Sequence, residues 1–157
     1  MVDGQLAGGA RRITEALYDA ARHGVEIDLI GARHAAACAR VSRGCAERIR
    51  VRSVVGRFLE HGRAHRFGAG DQPQVWQLER PTGMERNFFR RVETCFPVEN
   101  RRLRDRLVDQ RRADLADNTQ AWLLGGDGRY TRARPATGEA PCGVQQALLA
   151  RAAEGQG

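Results

Sequence analysis

A helix, a glycine and a strand follow one another directly near the start of the chain, and this order most constrains the fold. In RRITEALYDAARHG, Ile13 and Leu17 fall on one face at helical spacing, and Gly24 is placed to end the helix. The segment VEIDLI, from Val25 to Ile30, alternates apolar with acidic residues, which is typical of a strand. This succession favours a layered α/β domain.

The next part of the chain gives a weaker signal. Gly31–Arg48 is rich in alanine and arginine with little periodicity, so we expect a loop with at most a helical turn. Between Ile49 and His61 the apolar residues recur at nearly helical spacing, which predicts a helix. These apolar residues are Val51, Val54, Val55, Phe58 and Leu59.

The second half of the sequence predicts further strands, a hairpin and two helices. The turn signal GAGDQP separates two short strands, and WLLGGDGRYTRARP predicts a hairpin that turns at Asp127 and Gly128. Asn100 precedes an arginine-rich helix and is placed to cap it. The predicted strands are Ala64–Phe67, Val75–Leu78 and Arg90–Val98, and the predicted helices are RRLRDRLVDQRRADLAD and Val144–Ala152.

A chain of 157 residues is long enough for one domain with a core of its own. The glycine-rich residues 1–10 are expected to be flexible, residues 11–153 to form the domain, and residues 154–157 to be a flexible tail. No apolar run approaches the roughly 20 residues that span a bilayer, and the N-terminus has no apolar signal core. We therefore expect a cytoplasmic protein without an integral membrane segment.

All 26 basic residues are arginine, and the net charge is +7. Arginine stays charged and binds phosphate oxygens with a planar two-pronged group, so a nucleotide, polyphosphate or nucleic acid is a plausible partner. Codon bias with mostly solvated charges explains the same composition equally well. His34, Cys38 and Cys45 match no standard zinc spacing, so no metal site is predicted. The cysteines, which also include Cys95 and Cys142, are expected to be free thiols.

Four segments resemble the C-terminal domain of polyphosphate kinases, in the same order and at nearly the same spacing. The segment IRVRSVVGRFLEHGR, from Ile49 to Arg63, is similar to a signature of that domain. The resemblance runs from about Ile13 to Ala150. The other three segments are EALYDAARHGVEIDLI, RNFFRRVETCFPVEN and LADNTQAWLLGGDGRYTRARPATGEAPCGVQQALLA.

The resemblance implies a fold and a reaction. The implied fold is α/β, a single phospholipase-D-like lobe with a mixed sheet flanked by helices. The implied activity is a transferase reaction, the reversible transfer of the terminal phosphate of ATP onto a growing polyphosphate chain. Two similar lobes share the phosphate site in this family, and the lobe that carries the phosphorylated histidine is absent here. The chain is thus expected to be a fragment that is inactive alone.

The resemblance also implies partners and site residues. The partners are ATP, polyphosphate, and the remaining kinase domains or a partner chain, and a homo-oligomer stays open. Mg²⁺ is implied by the family, but no ligand for it is identified in this chain. His61 matches a catalytic, phosphate-binding histidine, and an imidazole can donate a proton to a phosphate oxygen near neutral pH. Arg33 is the best candidate for the family's ATP-binding or phosphate-binding arginine, although it lies one position further along and lacks the glycine that follows in the family. Supporting candidates are Arg57, Arg86 and Asn87.

Without the resemblance, His61 is better interpreted as a partly solvated histidine at a helix end. For Arg33, an exposed loop arginine is a nearly equal alternative to a phosphate-binding one. Two segments depart from the family pattern: Gly31–Arg48 lacks the expected glycine and proline turns, and Glu79–Gly83 replaces a serine-alanine-aspartate-tryptophan segment. These departures favour a scaffold that has been kept while its site-facing loops have drifted. Three hypotheses remain: an enzyme fragment, a non-catalytic module that binds polyphosphate or nucleic acid, and a vestigial reading frame that folds poorly.

Overall fold

The structure is a computed structural model, and it describes residues 2–3, 11–31, 47–59, 62–68, 73–78 and 94–155. These residues form one eight-stranded sheet with three helices. The strands are β1 (Val2–Asp3), β2 (Ile27–Ile30), β3 (Ile49–Val54), β4 (Ala64–Phe67), β5 (Gln74–Leu78), β6 (Cys95–Pro97), β7 (Ala121–Leu124) and β8 (Tyr130–Arg132), and the helices are α1 (Arg11–Arg22), α2 (Arg101–Ala116) and α3 (Val144–Ala153).

The sheet is mixed, with strand order β6-β5-β4-β1-β2-β3-β7-β8. Its centre is parallel, because β1 pairs with β2 and β2 pairs with β3 in the same direction. The outer strands are antiparallel: β4, β5 and β6 extend one side, and β7 and β8 extend the other. The carboxyl ends of the central strands therefore meet at one edge of the sheet.

Helix α1 covers one face of the parallel strands, as the sequence predicts. Gly24 has a φ angle of 90°, which only glycine adopts readily, and the chain turns there from the helix towards β2. The core of this layer combines buried residues of the helix with alternate residues of the two strands, which point to the same face. These residues are Tyr18, Ala21, Ile27, Leu29, Ile49 and Val51.

The helix predicted for Ile49–His61 is wrong, because the segment begins with strand β3 instead. In β3, Ile49 and Val51 pair with Ile27 and Leu29 of β2, and the other edge of the strand pairs with β7. Within β3, Ile49 and Val51 do alternate with Arg50 and Arg52, and Arg50 is exposed. The apolar spacing resembled that of a helix because it also included Val55, Phe58 and Leu59, which lie beyond the end of the strand.

The remaining predicted elements agree with the structure where it describes them. Strands β4 and β5 form the predicted antiparallel pair, β7 and β8 form the predicted hairpin, and α2 and α3 are the two predicted helices. Residues 95–97 lie in a strand within the predicted segment 90–98. Val2–Asp3 belongs to the N-terminal segment expected to be flexible, yet it pairs between β2 and β4. Most of the predicted loop, residues 32–46, lies outside the described residues.

A buried carboxylate joins α2, β7 and α3. Asp117 follows α2 directly, and its Oδ1 accepts hydrogen bonds from three consecutive main-chain N–H groups, at 2.9, 2.6 and 3.0 Å. Its Oδ2 accepts from the N–H of Val144, the first residue of α3, at 2.8 Å. The three consecutive donors to Oδ1 of Asp117 are Thr119, Gln120 and Ala121.

The start of α2 is capped as predicted, since Asn100 Oδ1 accepts a hydrogen bond from the N–H of Leu103 at 3.2 Å.

Arg52 attaches the end of α2 to the sheet. The half-buried guanidinium donates to the main-chain oxygens of Asp114 at 3.2 Å, Asp117 at 3.4 Å and, at closer range, Leu115. These carbonyls have no partner within a helix, and they carry the negative end of its dipole. Burial lowers the pKa of Arg52, and nearby carboxylates oppose that effect. Because Arg52 and Val51 point to opposite faces, α2 ends on the face opposite α1.

Replacing Asp117 with alanine is expected to lower the free energy of unfolding by about 3–5 kcal/mol, because four main-chain donors lose a charged acceptor. Urea denaturation followed by circular dichroism measures this loss as a lower midpoint with an unchanged slope. Asp127→Ala is the matched control, since that exposed carboxylate accepts one N–H, from Arg129, at 3.0 Å. If Asp117→Ala lowered the free energy of unfolding by no more than Asp127→Ala does, the role given to the Asp117 carboxylate would be contradicted.

His65 in β4 is expected to make stability depend on pH. Burial lowers its pKa below the ordinary value of 6.5, and its ring stacks on Phe67 with centroids 6.4 Å apart. The unfolded chain then binds the proton more readily, so stability falls as the pH drops from about 6.5 towards the folded pKa. The thermal unfolding midpoint of His65→Asn is expected to fall less between pH 7.5 and pH 5.5 than that of the unmodified chain. His23→Asn, at an exposed position, is the control, and equal losses in all three proteins would refute the assignment.

Candidate functional site

The carboxyl edge of the parallel strands is held together where β2 and β3 end. The N–H of Gly31, directly after β2, donates to the main-chain oxygen of Arg52 at 3.0 Å. Ser53 Oγ donates to the main-chain oxygen of Gly31. In open α/β sheets, ligands bind outside the carboxyl ends of the strands. This edge is therefore the candidate site of the fold.

A short exposed segment leaves the sheet at this edge, and we call Val55–Leu59 the exit loop. Its first N–H, from Val55, donates to the main-chain oxygen of Gln120 at 3.1 Å. The side chains of Val55, Phe58 and Leu59 are 61%, 48% and 68% exposed. The loop therefore presents apolar and charged side chains to the surroundings although its main chain is attached to the scaffold.

One buried glutamine holds the main chain of the exit loop. Gln145, in the first turn of α3, is 4% exposed. Its Oε1 accepts from the N–H of Phe58 at 3.1 Å, and its Nε2 donates to the main-chain oxygen of Phe58 at 2.8 Å. A Cβ atom on Gly56 would lie 2.7 Å from Gln145 Cδ and 2.8 Å from Gln120 Nε2. Two side-chain amides thus occupy the space that any residue larger than glycine would need.

Arg57 is the cation that the exit loop presents. Its guanidinium carbon lies over the ring of Phe58, 5.7 Å from the centroid. The negative face of an aromatic ring attracts a guanidinium, while the N–H groups at its rim can still donate hydrogen bonds. In the described part of the chain, no carboxylate pairs with Arg57. A phosphate oxygen is the kind of acceptor that this group can bind.

Further arginines lie where the chain returns towards β4. A Cβ atom on Gly62 would lie 2.9 Å from Nη2 of Arg111, so this guanidinium packs directly against the glycine. Arg111 pairs with Asp114 at 3.1 Å, and both side chains are buried. Arg63, the next residue after Gly62, is also buried. The main chain around the candidate site is therefore supported by buried, partnered charges.

Of the site residues predicted from the sequence, the structure describes Arg57, which lies at the carboxyl edge. His61, Arg33, Arg86 and Asn87 lie outside the described residues, as do the zinc candidates His34, Cys38 and Cys45. Cys95 and Cys142 are free thiols. Within the described ranges, no group of three or more histidine, cysteine or acidic side chains could hold a metal ion. No helix among these residues is long and apolar enough to cross a membrane.

Sequence reasoning missed Gln145 and Gln120, which hold the exit loop. The sequence offers one indirect signal for them, the glycines at positions 56 and 62 on either side of RFLEH. A glycine in such a place can mark a close approach of other groups to the main chain. Only the folded chain shows that two amides approach Gly56 and a guanidinium approaches Gly62.

Comparison with known proteins gives consistent results. The family model described as polyphosphate kinase C-terminal domain 2 matches residues 9–145. A polyphosphate kinase of Pseudomonas putida is 43% identical over 141 residues, which are 89% of this chain and 19% of that protein. One of Paraburkholderia phytofirmans is 46% identical over 136 residues, 86% of this chain and 19% of that protein. The chain thus spans about a fifth of these relatives.

A solved structure matches as well. The crystal structure of polyphosphate kinase from Porphyromonas gingivalis superposes with a TM-score of 0.86 and 26% sequence identity, covering 99% of this chain and 23% of that one. The α/β fold class expected from the resemblance, a phospholipase-D-like lobe with a mixed sheet and flanking helices, is confirmed by this match and by the sheet.

Gly56→Ala is expected to displace the Gln145 amide and weaken its two hydrogen bonds to Phe58, because the new methyl group would occupy the position of the amide. The amide proton of Phe58 should then exchange with solvent about five- to tenfold faster, which corresponds to the loss of a hydrogen bond. Hydrogen exchange followed by NMR measures this rate. Gly126→Ala is the control, since nothing lies within 4 Å of a Cβ atom there. Equal exchange rates in both variants would show that Gln145 does not hold the loop.

Proposed function

The chain belongs to the polyphosphate kinase family, as its C-terminal domain, and on this basis we propose that it supplies one half of the phosphate site of an ATP:polyphosphate phosphotransferase. It contributes contacts to the phosphates of ATP and polyphosphate, and it is inactive alone. The family match over residues 9–145 is the observation that supports this most strongly. The rest of the enzyme is the remaining four-fifths of a longer chain or a separate partner chain, in the cytoplasm.

The carboxyl edge of the sheet suits such a role. Phosphoryl transfer depends mainly on positioning the reactants and neutralising phosphate charge, so a half-site needs cations in fixed positions. Arg57 is an exposed cation on a loop whose main chain is held by Gln145. The chain carries a net charge of +7, which also favours an anionic substrate.

His61 is proposed as the catalytic histidine of this lobe. Its imidazole N–H donates a hydrogen bond, or a proton, to a phosphate oxygen during transfer. Support comes from the residues on either side, since Phe58 is held by Gln145 and Gly62 packs against Arg111. Arg33, which follows the end of β2, is proposed to bind a phosphate oxygen, with support from Arg86 and Asn87.

ATP is the nucleotide proposed for this site, and Mg²⁺ accompanies it in the family. We assign no residue of this chain to Mg²⁺, because the described ranges contain no group of three or more potential ligands. When bound with ATP, the ion would neutralise phosphate charge. Within this chain, we assign the neutralisation of phosphate charge to the arginines.

A chimaera tests the proposal, in which this chain replaces the matching segment of the Pseudomonas putida relative. We expect ATP-dependent polyphosphate synthesis below that of the parent enzyme, because the site-facing segments differ from the family pattern. His61→Ala in the chimaera is expected to reduce the rate by about 100-fold or more, the usual contribution of a general acid. His23→Ala, at an exposed helix end, is the control. Synthesis that is unaffected by His61→Ala would disprove the role of this histidine.

A non-catalytic module for polyphosphate or nucleic acid is the second candidate function, and the arginine-only positive charge favours it. In that case the chimaera is inactive, while the isolated chain binds polyanions with an affinity that falls steeply with salt. That affinity does not depend on His61 and decreases as arginines are removed. The two functions are therefore separated by the same set of proteins.

A further inference from the structure

We infer that the exit loop contacts a ligand phosphate directly through Arg57, and that Phe58 and Gln145 are positioning residues for this arginine. The ligand is a phosphate group of a polyphosphate chain or of a nucleoside triphosphate. This assignment rests on the proposed function and adds one defined contact to the same site. Three properties of the described residues carry it: a fixed main chain, a ring beneath the cation, and a charge without an acidic partner.

The fixed main chain comes first. Gln145 reaches from α3 to Phe58, 87 positions earlier, and makes both a donor and an acceptor hydrogen bond to its main chain. The N–H of Val55 donates to Gln120, so the loop is attached to the scaffold near both ends. At Gly56, between these attachments, the amides of Gln145 and Gln120 occupy the space that a side chain would need. An exposed loop that merely connects two strands does not need three such attachments.

The ring beneath the cation comes second. Phe58 is 48% exposed, so its ring contributes less to the core than a fully buried phenylalanine would. The described structure instead places the guanidinium of Arg57 over this ring, 5.7 Å from the centroid. An arginine that binds a phosphate loses side-chain freedom, and a partner that already restricts the side chain reduces that loss. The pair therefore has the arrangement expected of a preorganised phosphate contact.

The state of the charge comes third. Two other arginines, one in the sheet and one in α2, have carboxylate partners: Arg50 pairs with Asp28 at 2.7 Å, and Arg111 pairs with Asp114 at 3.1 Å. Arg57 has no carboxylate partner within the described ranges. Its N–H groups can therefore bind an external phosphate without first breaking an ion pair with a described residue. A planar guanidinium can donate two parallel hydrogen bonds to such a group.

Binding of inorganic polyphosphate and of ATP to the intact chain tests the inference, with calorimetry at about 0.15 M salt, where distant charges are screened. Arg57→Gln is expected to weaken the binding of the recognised ligand about tenfold, the effect of losing a charge-assisted pair. Arg134→Gln is the charge-matched control, since Arg134 is also exposed but lies after β8. It is expected to change the affinity by about twofold or less.

Two further variants leave the net charge unchanged. Phe58→Leu is expected to weaken binding about three- to fivefold, while Phe58→Trp keeps the affinity because tryptophan attracts a cation best. Phe96→Leu is the control, because that ring is similarly exposed, at 45%, and lies in the edge strand β6. Gln145→Leu is expected to weaken binding and to speed exchange of the Phe58 amide. Thermal unfolding of each variant shows whether the fold is intact, and Phe58→Leu tests the inference even if Gln145→Leu unfolds.

The outcomes are distinct. A drop in affinity for polyphosphate alone, or for ATP alone, identifies which phosphate the loop contacts. Equally small losses of affinity in Arg57→Gln and Arg134→Gln would mean diffuse attraction to the net charge and would overturn the inference. The inference would also be overturned if the unmodified chain bound neither ligand. In the chimaera, synthesis that depends on His61 but is unchanged by Arg57→Gln and Phe58→Leu would reject the loop contact alone. An inactive chimaera whose isolated chain still loses affinity in these variants would reject the phosphotransfer function and keep the contact.

Discussion

The carboxylate of Asp117 is the contact on which the second half of the structure depends. It accepts hydrogen bonds at the start of β7 and at the first residue of α3, directly after α2 has ended. A single buried group thereby fixes the junction of three elements. The carboxylate accepts a hydrogen bond from the N–H of Val144, and Gln145 is the next residue. The same contact therefore positions the amide that holds Phe58. The stability of the scaffold and the geometry of the exit loop are consequently coupled.

Local signals predicted the elements that their own residues determine. Gly24 ends α1 through its positive φ angle, and Asn100 caps α2 through its own side chain, so both boundaries could be read directly from the sequence. Strand β3 could not be, because its structure is decided by its neighbours. It lies between β2 and β7, and its last residue, Val54, is buried although it points to the face opposite Val51. Together with Val55, Phe58 and Leu59, which lie beyond the strand, Val51 and Val54 have a spacing that resembles that of a helix.

The resemblance to a known family named the candidate site residues, and only Arg33 was expected at a strand end. Arg57 was expected on a helix, whereas the structure places it in a loop at the carboxyl edge of the sheet. The glycines at positions 56 and 62 give only an indirect signal of the contacts that hold the exit loop. They do not indicate the partner, because Gln145 and Phe58 are 87 positions apart. In the sequence, Gln145 is an ordinary polar residue at the start of a short helix. Its importance depends on a tertiary contact that neither segment encodes alone.

The arginines explain why net charge is a poor guide to the ligand in this chain. Arg52 binds the carbonyls at the end of α2, and hydrogen bonds to Asp28 raise the pKa of Arg50. Arg111 is buried against Asp114. These three cations stabilise the fold and are already compensated, although they count fully towards the total of +7. Arg57 differs in being exposed, supported by a ring, and without an acidic partner in the described part of the chain. Recognition of an anion should therefore follow the position of such residues rather than the sum of the charges.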